Sequence, residues 1–238
     1  MSEHNLFFFP SQSLYGNEVV IKGAELRHII NVLRRKKGER LTLTDGQGCE
    51  YEAEIIDIQK SKMVARVLQK QFVPRKVGVE IAVGFVPVKG MRNDTIIEKC
   101  TELGVAKFIM FSSEHAVVRD LGEQKIERFR KIAQSAMVQS QQYYLPEILQ
   151  VKGIEEMLQI CKGYDRVLVA DPKGKDELPS GVRKALVVIG PEGGFSDTEM
   201  DLLAKRGALL FGLGSTRLRS ETAAIVGVTK ILVAYNLV

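Results

Sequence analysis

The chain predicts an α/β protein, a parallel sheet covered by helices, with a small β-barrel ahead of it. Three patterns carry that expectation. From Val79 onward, apolar runs at 79–83, 108–111, 166–170, 186–189 and 208–213 alternate with helical patterns, as in a chain whose parallel strands are buried on both faces. Before residue 72, apolar and polar side chains instead alternate at 41–44, 51–55 and 63–68, the period of a half-buried strand. Near the C-terminus, two glycine-rich turns, at 189–195 and 213–223, each follow an apolar run and open a helical pattern.

Taken in order, the barrel carries one helix, ending in a basic cluster, and a hairpin signal at Asp45-Gly46-Gln47-Gly48, where Asp and Gly tolerate the positive φ of a tight turn. The segment 69–78, with Pro74, reads as a linker, which divides the chain into domains 1–72 and 73–238. A helix over 91–103 has Ile96, Ile97, Cys100 and Leu103 at helical spacing, with Gly104 as its C-cap. A second over 123–142 aligns Ile126, Phe129, Ile132, Ala133, Ala136 and Met137, and Pro146 stops it. Ser196-Asp197-Thr198-Glu199 is a capping box just after Gly194, so the first glycine turn sits at a helix N-terminus. The last helix, with Ala223, Ile225, Val226, Val228, Ile231, Leu232 and Tyr235, is apolar on more than one face. Such a helix is expected to be buried on several sides, one of them against a symmetric partner.

Composition narrows the function classes. At 238 residues and 45% hydrophobic, the chain suits one or two globular domains. Its N-terminus lacks a basic n-region, so no signal peptide and a cytoplasmic location are expected. The apolar stretch 222–238 is interrupted by Lys230 and Asn236 and is short for a membrane span. Cys49, Cys100 and Cys161 are scattered and only three histidines occur, so neither a disulfide framework nor a metal site is expected. The net charge of +5 favours a polyanionic partner. Arg27, Arg34, Arg35, Lys36 and Lys37 cluster around one helix end. They are read either as a phosphate-contact surface or as solvated charges offsetting the helix dipole.

The glycine turns point to a cofactor. Glycine lets a ligand touch backbone, and helix N-termini offer unpaired N–H donors. Gly190, Gly193 and Gly194 do not make G-x-G-x-x-G, no Walker lysine follows, and the turns fall late in the chain. A dinucleotide or nucleoside triphosphate therefore fits poorly, and a cofactor without phosphate fits better.

The first turn, Gly-Pro-Glu-Gly-Gly-Phe-Ser, followed by Leu-Gly and then Leu-Arg-Ser-Glu-Thr-Ala, resembles the RsmE family of SPOUT methyltransferases. Further likeness lies in Arg27-His28 with Val32-Leu33-Arg34, Lys89-Gly90 with Arg92 before Glu102-Leu103-Gly104-Val105, and Ser113-Glu114 with Val118-Arg119. The resemblance implies a PUA-like RNA-binding barrel and a SPOUT domain whose C-terminal segment is threaded into a trefoil knot. It also implies a homodimer that uses S-adenosylmethionine to methylate N3 of a uridine in 16S ribosomal RNA of the small ribosomal subunit.

On the family's pattern, three loops would cup the cofactor: Ala170 and Asp171; Ile189, Gly190, Pro191, Glu192 and Gly193; and Leu213 and Gly214 with Leu218 and Arg219. Glu192 has the alternative of simply complementing a helix dipole. Arg219 is the candidate for stabilising charge developing on the uracil carbonyls, and Glu221 the candidate base; alternatively the two pair with each other. Lys89, Arg92 and Arg119 are RNA-facing candidates, with surface ion pairs as the alternative. Where the family commonly has an arginine at the end of the long helix, this chain has Gln142, losing a fixed charge. Two rival functions remain open at this point: methylation of another RNA nucleotide (a ribose 2′-OH or a tRNA base), and RNA binding without catalysis.

Overall fold

Six short segments build an all-parallel sheet: β7 (Glu80–Phe85), β8 (Lys107–Met110), β9 (Glu147–Gln150), β10 (Arg166–Lys175), β11 (Lys184–Ile189) and β12 (Leu209–Phe211). Their order across the sheet is β12-β10-β11-β7-β8-β9. The central strands β7 and β11 are buried almost throughout, which accounts for their unbroken apolar runs. Helices α2 (Arg92–Glu102), α3 (Glu123–Gln139), α4 (Ile154–Cys161), α5 (Asp197–Lys205) and α6 (Ser220–Ala234) accompany it, with α6 packed against α2, β11 and β7.

The computed structural model describes residues 5–75, 78–175, 178 and 181–237. Two compact units emerge: Met1–Arg75 with Met137–Leu145, and Lys76–Ala136 with Pro146–Val238. A single boundary at 72/73 takes no account of Met137–Leu145, which packs with the first unit. Within that unit Gly46 accepts from Leu145 N at 2.9 Å and the Tyr144 hydroxyl donates to Val73 O at 2.9 Å.

The first unit is a six-stranded, mostly antiparallel sheet of β1 (Leu6–Phe8), β2 (Leu14–Tyr15), β3 (Glu18–Lys22), β4 (Arg40–Thr44), β5 (Cys49–Ile58) and β6 (Lys62–Phe72). Its order is β1-β4-β5-β6-β3-β2, with only β1 and β4 parallel. Register shifts at Glu52/Ala53 and Ile55/Asp57 interrupt the long β5–β6 ladder, the kind of irregularity that bends a sheet around its core. That core includes Phe7, Phe9, Ile21, Leu43, Tyr51, Ile55 and Met63. The hairpin expected at Asp45–Gly48 joins β4 to β5: Asp45 Oδ1 accepts from Gln47 N at 2.8 Å, and Gly46 and Gly48 have φ of 72° and 90°.

One expectation is corrected here. The segment 69–78 is not wholly a linker, because β6 continues to Phe72, paired residue for residue with β5; backbone pairing holds this stretch in place although its side chains are exposed. Lys76, Val77, the first four residues and Val238 lie outside those described. The last helix buries Ala223, Ala224, Gly227, Val228, Ile231 and Leu232 within the unit, and its other face carries half-buried Ile225 and Val226 and Val233, 57% exposed.

The β10–β12 ladder contains the tightest packing. It jumps from Ala170 to Lys175, both opposite Phe211, so residues 171–174 loop out. A Cβ on Gly174 would lie 2.5 Å from the Phe211 and Gly212 backbone, and Gly212 N donates to Lys175 O at 2.9 Å. Two backbone segments thus run in direct contact. Gly212→Ala is expected to destabilise the protein by about 1–3 kcal/mol through overpacking. Gly122→Ala, whose Cβ meets nothing within 4 Å, should stay within about 0.5 kcal/mol of the parent in urea unfolding.

Candidate functional site

Because β10 lies between β11 and β12 in a parallel sheet, the chain leaves three adjacent strands at the same edge. Ligands bind at such carboxyl ends in open α/β sheets. At the first exit, Ala170 is half-buried where the ladder breaks, and Asp171 Oδ1 caps its own loop by accepting from Lys173 N at 2.7 Å. Ala170 and Asp171 therefore sit inside a strand that loops out and resumes, rather than after a strand.

At the second exit, Ile189 is buried and Gly194 N donates to Pro191 O at 2.9 Å, closing a turn over Glu192 and Gly193. Gly194 has a φ of 76°, and a Cβ on Gly190 would lie 3.1 Å from the Phe195 ring. The expected capping box then opens α5: Ser196 Oγ accepts from Glu199 N at 3.3 Å while Glu199 Oε2 accepts from Ser196 N at 2.9 Å. The other oxygen of Glu199, a buried residue, accepts from Glu114 N at 2.9 Å. His115 Nδ1 lies 3.1 Å from Gly194 O, and the Phe111 and Phe195 rings stack with centroids 6.2 Å apart. The loop after β8 is thus strapped to the glycine turn. Glu199 was legible as a cap; its second partner, 85 residues away, was not.

At the third exit, Phe211 and Gly212 are buried, Leu213 and Leu218 are half-buried and Gly214 has a φ of 145°. Arg217 Nη2 donates to Glu192 O at 2.7 Å, so the two glycine turns are in direct contact. Arg219 is exposed at the N-cap of α6, and Glu221 lies in the first helical turn. No ion pair joins Arg219 to Glu221 among the described residues. Glu221 Oε2 is instead buried with no hydrogen-bond partner, leaving an acceptor for a bound group.

Arg92, from α2, pairs with the Glu192 carboxylate, 100 residues away in sequence. That bond, then the arginine's charge, holds Glu192 below the ordinary carboxylate range, with smaller help from Arg219 and Arg217. Arg92 is correspondingly raised, with a lesser contribution from Glu221. The ion pair expected as the alternative for Arg92 is thus present. Its neighbour Asn93 is fully buried and grips the Val88 backbone twice, accepting from N at 3.0 Å and donating to O at 2.7 Å. This clamp fixes the loop that carries exposed Lys89.

Ile189, Gly190, Pro191, Glu192, Gly193, Leu213, Gly214, Leu218, Arg219 and Glu221 therefore share one edge of the second unit, as do Ala170 and Asp171. Arg119 is exposed in the loop after β8. Arg27, Arg34, Lys36 and Lys37 are exposed in the first unit, and Arg35 is half-buried there. They follow the five-residue helix α1 (Gly23–Arg27) and a π-helical turn at His28–Val32, and Arg34 has a φ of 55°. Gln142 also lies in that unit and donates to Ser140 Oγ at 3.1 Å. Burial pushes the thiols of Cys100 and Cys161 up to about 12 and about 11, so both stay protonated and poorly nucleophilic at neutral pH. No helix among the described residues is long and apolar enough to cross a membrane.

Comparison with known proteins agrees with this layout. Residues 75–232 match the family described as RNA methyltransferase domain, and residues 21–68 match RNA methyltransferase PUA domain. The ribosomal RNA small subunit methyltransferase E of Bacillus subtilis (strain 168) is 30% identical over 226 residues, spanning 89% of this chain and 88% of that protein. The corresponding enzyme of Neisseria gonorrhoeae, solved bound to S-adenosyl methionine, is 25% identical with a TM-score of 0.85 over 98% of each chain. The Legionella pneumophila protein Lpg2936, solved with bound SAM, is 28% identical with a TM-score of 0.87, again over 98% of each chain. The chain belongs to the ribosomal RNA small subunit methyltransferase E (RsmE) family of S-adenosylmethionine-dependent SPOUT RNA methyltransferases.

Proposed function

We propose that this protein methylates N3 of a uridine in 16S ribosomal RNA, working in the cytoplasm as a homodimer. The observation that carries the reading is the contact between the two glycine turns, Arg217 Nη2 to Glu192 O, which brings two distant motifs together. The residues suit the cofactor. Backbone groups at 189–193 and 213–214 suit an adenine edge, the half-buried Leu213 and Leu218 its faces, and no phosphate-binding lysine is needed. When bound, S-adenosylmethionine supplies a methyl group already activated by its sulfonium.

The protein's own task is then mostly positioning, an effect able to contribute roughly 7–11 kcal/mol to rate acceleration. Glu221 is assigned the proton of N3, because its buried Oε2 lacks a partner and a carboxylate without a donor is ready to accept one. Arg219, exposed at the helix start, is assigned the uracil carbonyl oxygens, where a guanidinium stabilises developing negative charge. The outer face of α6, with Ile225, Val226 and Val233, is assigned to the second subunit. Arg27, Arg34, Lys36, Lys37, Lys89 and Arg119 are assigned to RNA phosphates. The domains are assigned as an RNA-binding unit before residue 72 and a catalytic one after it, with Met137–Leu145 joining the former.

Incubating the protein with small ribosomal subunits and S-adenosylmethionine should yield N3-methyluridine on nucleoside analysis; a ribose-methylated product, or none, would refute the assignment. Arg219→Ala is expected to lower the single-turnover rate about 10²–10³-fold while changing cofactor affinity by only a few fold in calorimetry. A loss confined to cofactor affinity would move Arg219 into the binding shell.

The Arg92–Glu192 clasp has a defined pH window. Because the folded-state pKa of Glu192 is depressed, its contribution is present above the ordinary glutamate value of 4.5 and is lost as pH falls through the lowered value. Carboxyl NMR should show Glu192 titrating below 4.5 in the parent and moving upward in Arg92→Ala.

A further inference from the structure

The first unit carries a polar groove lined by its own residues. Its volume of about 530 Å³ lies within the range of about 300–1,000 Å³ usual for small-ligand sites. Several polar groups in its walls already hold one another. Glu50 accepts from Gln71 Nε2 at 2.7 Å and from the Tyr143 hydroxyl, and Arg40 donates to Glu52 Oε1 at 2.6 Å. Arg35 and Glu52 each keep a polar atom outside these bonds. The Nε–H of Arg35 is shielded from solvent and meets no acceptor, although the other end of the guanidinium reaches Glu39 at 3.9 Å. Oε2 of Glu52, on a side chain 40% exposed, stays open at the groove.

A buried donor without an acceptor forfeits its full hydration, so the groove calls for a ligand that brings acceptors to Arg35. The same ligand can bring donors to the open oxygen of Glu52. A phosphate meets only the first demand and is repelled by the carboxylates of Glu50 and Glu52. A nucleobase meets both, and guanine meets them best: O6 and N7 stand side by side as acceptors for an arginine, and N1–H and N2–H stand side by side as donors for a carboxylate. Tyr143, held by Glu50, adds an aromatic wall of the type on which bases stack. Arg34, Lys36 and Lys37, exposed beside Arg35 in the chain, supply cations for the flanking phosphates.

We propose that this groove binds an unpaired guanine nucleotide, with Arg35 on O6 and N7 and Glu52 on N1–H and N2–H, so that the N-terminal unit reads a base other than the one methylated. The proposal rests on the RNA reading above only for the source of that nucleotide. It can be tested on the full chain by NMR titration with 5′-GMP, 5′-AMP, 5′-CMP, 5′-UMP, 5′-IMP and inorganic phosphate, following the Arg35 Nε–H and Tyr143 resonances. The expected result is that GMP shifts both and binds at least about tenfold more tightly than AMP, CMP or UMP. IMP, which lacks the N2 amino group, should be weaker than GMP. Arg35→Ala and Glu52→Gln should each abolish the preference, with Glu52→Gln retaining the parent's melting temperature. Equal affinities for the nucleotides, competition by phosphate alone as effective as GMP, or a guanine preference that survives both substitutions would overturn the proposal. The titration needs neither cofactor nor turnover, so a failed methylation assay would not mimic these outcomes, nor would equal nucleotide affinities disturb the methylation reading.

Discussion

Two backbones meet at Gly174 and Gly212 with no room for a side chain, and the edge that carries the glycine turns depends on that meeting. It presses β12 against the far side of β10, fixing where the chain emerges after Phe211. Lys230 of α6 reinforces the position by donating to Gly212 O at 3.0 Å. From there Arg217 reaches the carbonyl of Glu192. Close-packed interiors resist even one added methyl group, so a glycine on each side is a steric requirement.

On this frame the site is assembled by long-range polar contacts of small individual strength. Arg92 and Glu192 are both partly exposed, at 35% and 58%, so their attraction contributes little to stability and matters chiefly for geometry. Arg92, Arg217 and Arg219 around Glu192 and Glu221 leave this cluster with a net positive charge, suited to an approaching polyanion. The Glu199 carboxylate works differently: it is buried and satisfies two backbone N–H groups, holding the glycine turn and the loop after β8 as one body.

Local chemistry made much of this legible in the sequence. The apolar runs of β7, β8, β10 and β11, the capping box at Ser196 and the hairpin at Asp45 each follow from neighbours within a few residues. What escaped depends on distant partners. β9 is a short edge strand with two exposed positions, so its pattern is too sparse to read. Gln69–Phe72 is held in a strand by its ladder with β5, not by alternation. Among the site residues, the glycine turns were legible as motifs, whereas the Arg92–Glu192 and Arg217–Glu192 contacts are products of tertiary packing.

The first unit contains Met137–Leu145, and this bears on the order in which a ribosome delivers the protein. Domains commonly fold from the N-terminus as they are synthesised. Here the N-terminal sheet must wait while some sixty intervening residues of the other unit (76–136) are translated before its last piece arrives. Nascent-chain folding should therefore proceed by two interleaved compactions rather than one after the other.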